Sequence, residues 1–182
     1  MRKLILLTAV ALLVVVSSKS FAQTSATATG TSAGAVLIKP MTISKTADLH
    51  FGSINVLTGV AGTVTLPSNS TTRSFSGGVV ASTISPTATN AAFSITGTQN
   101  EGYALTIPAS ITVTETIGST ATMIIDALSV RFANESGDTS SYTSQLSGTG
   151  TSGFTLGGTL NVGASQVTGI YAGSFDVTVD YN

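Results

Sequence analysis

Along most of the chain, apolar side chains recur at every second position in short runs separated by Gly, Ser, Thr, Asn and Pro. The clearest run is the last, "GIYAGSFDVTVDYN". One face carries Gly169, Tyr171, Gly173, Phe175, Val177, Val179 and Tyr181; the other carries Ala172, Ser174, Asp176, Thr178, Asp180 and Asn182. A period of two marks a strand with one buried face. The pattern predicts that Phe175, Val177, Val179 and Tyr181 point to the core while Asp176, Thr178 and Asp180 point to solvent, since a one-residue slip would exchange the two sets.

Earlier runs read the same way. "AVLIKPMTIS" is apolar around Pro40, which fits an edge strand or a strand that changes partner. Val36, Ile38, Met41 and Ile43 are its candidate inward residues. "DLHFGSINV" points Leu49, Phe51 and Ile54 inward with a bulge at Gly52. "GTVTLP" alternates Val64 and Leu66, and "SFSGGVVAS" carries a Gly-Gly turn or bulge. "AAFSITG" alternates Phe93 and Ile95, and "YALTIP" alternates Tyr103, Leu105 and Ile107. The Glu101-Gly102 pair between these two suggests a hairpin. "SITVTET" alternates Ile111 and Val113. In "TMIIDALSVRF", Ile124 shares a face with Leu128, Val130 and Phe132 after a slip near Asp126. Residues 134–153 read as a long polar loop, and "FTLGGTLNVG" as two short strand pieces around Gly157-Gly158. No stretch carries a convincing helical period and no internal repeat is visible. Roughly eight to ten short strands predict an all-β chain, with an antiparallel β-sandwich as the default and a closed barrel as the alternative.

The beginning differs from the rest. Arg2 and Lys3 precede an apolar run, Leu4 to Val16, that is too short to span a bilayer, and Ser20-Phe21-Ala22 follows it. That order is the pattern of a secretory signal peptide over residues 1–22, cut after Ala22. With no cysteine in the chain, a lipid-anchored leader is excluded. Residues 23–34 are polar and low in complexity and read as a flexible leader. Residues 35–182 remain as a single domain, long enough to bury a core without cross-links. The expected location is exported: periplasm, cell surface or extracellular. No membrane span is expected in the mature chain.

Composition narrows the function classes. Of seven Lys and Arg against eight Asp and Glu, only Lys39, Lys45, Arg73 and Arg131 lie beyond the leader, so no basic stripe exists for nucleic acid. About a third of the mature residues are Ser or Thr, which favour strands and turns.

Several motifs invite chemistry that their surroundings do not support. "GTSAG", Gly30 to Gly34, has the pattern of a nucleophile elbow with Ser32 as nucleophile. The elbow needs a strand before it, a helix after it and a histidine base, whereas this one sits in a polar leader. The single histidine, His50, lies in a predicted strand and faces outward. "GTGTSG", Gly148 to Gly153, matches a dinucleotide loop, but strand-like sequence follows it where a helix N-terminus is required. "NESGD", Asn134 to Asp138, gathers oxygens without the spacing of a calcium loop. Asn69 and Asn134 begin glycosylation sequons. No catalytic residue, metal ligand or cofactor site is assigned, and the chain is read as a non-enzyme.

The ending resembles the C-terminal signature of chaperone–usher pilin subunits, with Tyr181 penultimate, Gly169 fourteenth from the end, and Phe175, Val177 and Val179 between. "DLHFGSI", Asp48 to Ile54, is similar to the L-x-F-G segment of spore-coat-U-like archaic pilin domains. Together with Phe93 to Gly97 and "GGTLNVG", the pattern is closest to the secreted domain-of-unknown-function family 4402 over about Ala35 to Asn182. Many archaic pilin domains carry a disulfide; this chain has none. The resemblance implies an incomplete immunoglobulin-like, pilin-like sandwich whose groove is filled by a partner's extension through strand addition. It also implies other copies of the chain or related subunits as partners, and a periplasmic chaperone and usher. Gly169, Tyr171, Phe175, Val177, Val179 and Tyr181 would border the groove. Val36, Ile38, Met41 and Ile43 would be the donor segment, or simply the first strand if the sandwich is complete. The expected function is a structural or adhesive fimbrial subunit. The alternative is a surface module binding glycan or matrix through loop hydroxyls and aromatics such as Tyr142.

Overall fold

In a computed structural model, the structure describes residues 25–134 and 141–182. The signal-peptide pattern lies outside these residues, as do Glu135 and Asp138 of the oxygen-rich loop. The chain divides into two units, residues 1–36 and 37–182. The described part of the first, residues 25–36, has no regular structure and is exposed.

The second unit is built of strands, and no helix occurs among the described residues. In chain order these are β1 (Thr42–Ala47), β2 (His50–Phe51), β3 (Ile54–Val56), β4 (Gly62–Leu66), β5 (Ser74–Gly77), β6 (Val79–Ala81), β7 (Ala88–Thr89) and β8 (Ala91–Thr96). Then come β9 (Gly102–Thr106), β10 (Ile111–Glu115), β11 (Thr122–Phe132), β12 (Thr143–Gln145), β13 (Thr151–Val162), β14 (Tyr171–Ala172) and β15 (Thr178–Tyr181). The class is all-β as the alternation predicts. The strands outnumber the roughly eight to ten expected, because glycines and turns cut several runs into two-residue ladders.

All pairings are antiparallel. The main sheet runs β1-β8-β13-β11-β10-β14, and β4 and β5 join it beside β13; β12-β9-β15 form a second sheet, and β2-β7 and β3-β6 are small ladders. Two apolar clusters fill the space between layers, consistent with a β-sandwich. The first gathers Ile95, Tyr103, Leu105, Val130, Phe132, Leu146, Phe154 and Leu156 between the main sheet and the second sheet. Phe132 meets both Tyr103 and Phe154 edge-on, with ring centroids 5.8 and 6.2 Å apart. The second cluster gathers Phe51, Val64, Leu66, Val79, Ile111, Ile125, Leu160 and Val162 beneath the small ladders.

Four local expectations are corrected. First, residues 151–162 form one continuous strand and not two pieces. The Gly157-Gly158 pair marks a change of neighbour: Thr151 to Leu156 pair with β8, and Gly158 to Val162 pair with β4. A Cβ on Gly157 would lie 2.2 Å from the Leu66 carbonyl oxygen, so only glycine lets β4 close on β13. Second, Ile124 is exposed and Ile125 is buried. The slip near Asp126 is real, with Ala127 at φ 46° and the register broken between Asp126 and Ser129. An inserted residue inverts the phase of a strand, so Ile125 precedes it on the face that Leu128, Val130 and Phe132 take after it.

Third, Glu101-Gly102 does not close a hairpin. β8 lies in the main sheet and β9 in the second, so this stretch crosses between layers. Gly97 N–H donates to Gly150 O and Asn100 N–H to Ser147 O, which docks the crossing on the turn before β13. Fourth, the predicted polar loop over residues 134–153 contains β12 and the buried Leu146.

Candidate functional site

The ending of the chain is not one strand. Tyr171 and Ala172 pair with Glu115 and Thr114 in the main sheet, whereas Thr178 to Tyr181 pair with Thr106 to Tyr103 in the second. The crossover is made at Gly173, where a Cβ would stand 2.4 Å from the Thr112 carbonyl oxygen. Burial still alternates from Phe175 to Tyr181, so the period of two survives the change of sheet. Phe175, Val177, Val179 and Tyr181 all pack on the first cluster, Phe175 touches the second as well, and Asp176, Thr178 and Asp180 are exposed.

Those inward residues are only half-buried, because β15 is an edge. Among the described residues it pairs with β9 on one side and with no strand on the other, and β1 likewise pairs only with β8. The two open edges run close together. Tyr181 bridges them: its hydroxyl donates to Lys39 O at 2.6 Å and accepts from Thr98 N–H at 2.6 Å. Lys39 N–H in turn donates to Thr98 Oγ1 at 2.7 Å. Gly97 leaves room for this, since a Cβ there would sit 2.5 Å from the tyrosine oxygen. Half-buried Met41 and Ile43 line the β1 side, and Ile43 is registered against Ile95. Sequence reasoning missed Lys39 and Thr98 because no local pattern marks a hydrogen-bond partner so distant along the chain.

The donor candidates therefore separate. Met41 and Ile43 belong to the sandwich itself. Val36, Leu37 and Ile38 lie outside any strand and are 91, 89 and 61% exposed.

The groove candidates separate too. Gly169 and Tyr171 lie beside β10, away from the edge that Tyr181 borders. Gly169 packs on Glu115, and a Cβ would fall 2.6 Å from Glu115 Oε1. Glu115 is buried, and its carboxylate accepts N–H bonds from Gly118 and Ser119 at 2.7 Å and Ile117 at 3.0 Å. These donors favour the charged form. The Gly118 N–H, then that of Ile117, hold the carboxyl below its ordinary range.

A shallow polar cleft of about 600 Å³ is lined by Ser68, Asn69, Ser70, Thr71, Asn90, Arg131, Phe132, Ala133 and Thr155. Asn90 and Thr155 shape it by donating to Pro67 O and Ser68 O at 2.7 and 2.6 Å. Tyr142 is not in this cleft; it packs half-buried on the first cluster. Ser32 lies in an exposed stretch without a strand or helix around it, and Gly148 to Gly153 form a turn running into β13. Among the described residues, no three His, Asp or Glu side chains gather as a metal site, and no helix is long and apolar enough to cross a membrane.

The profile of a family described as "Domain of unknown function (DUF4402)" matches residues 41–181. The chain belongs to this DUF4402 family. The match begins at Met41, just before β1, and ends at Tyr181, so it covers both open edges and leaves Val36 to Ile38 outside. No curated protein and no solved structure matches this DUF4402 chain.

Proposed function

We propose that the chain is an exported, non-enzymatic structural subunit of fimbrial type that assembles by strand addition at the open edges of β15 and β1. The observation that carries this reading is the pair of unpaired edges flanked by half-buried Met41, Ile43, Phe175, Val177, Val179 and Tyr181. An apolar edge of this kind is a template for another chain's strand. The strand order β1-β8-β13-β11 facing β12-β9-β15 supports an immunoglobulin-like layout in which β15 awaits a further neighbour. The exposed Val36-Leu37-Ile38 stretch supplies apolar side chains of the kind such a groove takes. The signal-peptide pattern supports export, and a chaperone covering the groove until assembly fits the same edge.

Size-exclusion chromatography and cross-linking of the full chain test the reading. Assembly into chains is expected, and Ile38→Asp should abolish it with an unchanged melt, since Ile38 lies outside every strand. A wild type that stays monomeric at all concentrations, or an Ile38→Asp variant that assembles as well, rejects it.

The polar cleft favours a second reading, a glycan-binding surface, because its amides, hydroxyls and Arg131 suit a hydroxylated ligand. Loss of glycan-array binding in Arg131→Ala and Asn90→Ala would support that reading over the first.

A further inference from the structure

The second cluster is not closed over its whole area. Between the small ladders, β10, β11, β13 and the loop of residues 163–170 lies a cavity of about 450 Å³. Phe51, Val113, Met123, Ile125, Val162 and Ile170 are among its walls, and this size is typical of small-molecule sites. Roughly fifteen non-hydrogen atoms fit, at about 30 Å³ each, the share one water takes in the liquid.

The chemistry of the walls limits the occupant. β13 is paired on both sides, and β2, β3 and β14, each paired on one side, are only two or three residues long, so an incoming peptide strand would find little backbone to pair with. The floor, with Phe51, Ile125, Leu160 and Val162, is buried and apolar, whereas His50, Val167, Thr168 and Ile170 are exposed, so an occupant would meet an apolar interior and a wet opening. Most polar groups in the lining are already engaged. Gln166 Nε2 donates to Tyr171 Oη at 2.7 Å, Tyr171 Oη donates to Val167 O at 2.6 Å, and Ser53 Oγ donates to Ser85 O at 3.1 Å. His50 Nδ1 accepts from Gly52 N–H at 2.7 Å, which leaves the neutral ring's proton on Nε2. Among the described residues, His50 Nε2 and the Thr168 hydroxyl make no hydrogen bond to a protein acceptor; both residues are exposed and stand at the open side of the cavity.

We propose that this cavity binds a single-chain amphiphile, with its acyl chain against Phe51, Val113, Met123 and Ile125 and its oxygen head group accepting from His50 Nε2 and Thr168. The site is independent of the assembly edges, which border the other cluster.

Met123 lines the cavity and Met41 lies on the other cluster, so the two methyl groups are separate reporters. Full chain labelled with ¹³C at the methionine methyls is titrated with sodium decanoate below its micelle concentration. The expected result is a saturable shift of Met123 with Met41 unmoved. Val113→Trp, which fills the cavity, should weaken binding at least tenfold. His50→Ala should weaken it several-fold while leaving the melt unchanged. Should Val113→Trp fail to fold, Ile170→Asp, which places a charge at the mouth from a side chain 62% exposed, is expected to weaken binding in the same way. Three results each overturn the proposal: a Met123 methyl that does not move, Met41 and Met123 shifting together without saturation, or both cavity variants binding like the wild type. A peptide of residues 34–41 that moves Met123 where decanoate does not would overturn it in favour of a strand.

Discussion

Tyr181 and Lys39 meet at the seam between the two layers, the tyrosine hydroxyl donating to the lysine carbonyl oxygen at 2.6 Å. Tyr181→Phe keeps the ring on the core and removes this bond together with the one from Thr98 N–H. The expected cost is about 1 kcal/mol, read from the urea midpoint. Tyr181→Ala also empties core volume and should cost more. If the seam borders an assembly groove, Tyr181→Ala loses partner capture at temperatures where its own fold persists. Lost stability with normal partner binding would make the residue structural only.

Val177 sits inward on the segment leading into β15, and Asp176 beside it is exposed. Val177→Asp places a charge among apolar neighbours and should cost about 2–3 kcal/mol. Asp176→Asn should stay within about 0.5 kcal/mol. Paired denaturation curves check this, and equal costs would mean that the alternation does not set the two faces.

Glu115 gives the fold a dependence on acid. Its folded-state pKa lies below the ordinary glutamate value of 4.5, chiefly through the Gly118 N–H. A depressed carboxyl pKa contributes stability that is fully present above the unfolded value and lost as pH falls through the folded one. Glu115→Gln should therefore be less stable than the wild type at pH 7. The gap should narrow below about pH 4.5 and close once the carboxyl is protonated in the folded state. Urea midpoints of both proteins across that range check the sign, and a gap that widens on acidification would reverse it.

Gly157→Ala forces a methyl against the Leu66 carbonyl and should cost about 1–3 kcal/mol or more, as overpacking does. Gly118→Ala meets nothing within 4 Å and should change stability by less than about 0.5 kcal/mol. Thermal melts of the two variants distinguish a glycine needed for packing from one that is not.

The fold class and the inward faces were legible because a period of two is a local signal. Val64, Leu66, Ile95, Tyr103, Leu105 and the terminal residues all fall on the expected face. What escaped depends on partners far along the chain. Nothing near Glu101-Gly102 tells that β9 leaves β8 for another sheet, since a crossover and a hairpin both want a glycine turn. A single inserted residue inverts the phase between Ile124 and Leu128, and the alternation alone does not show on which side of it the core face changes. The offset of Gly169 from Tyr181 stands out in the sequence, but its physical reason, the carboxylate of Glu115, appears only once β14 lies beside β10. The candidate groove residues divided for the same cause: an alternating run that changes sheet keeps its period.

β11 and β13 run through both apolar clusters. β13 gives Phe154 and Leu156 to one and Leu160 and Val162 to the other, while β11 gives Val130 and Phe132 to one and Ile125 to the other. Neither cluster can come apart without tearing a ladder that the other one needs. Heating should therefore produce a single cooperative transition and not two steps, and the slowest amides to exchange with deuterium should lie in β13, whose stretch from Phe154 to Asn161 has β11 on one side and β8 or β4 on the other.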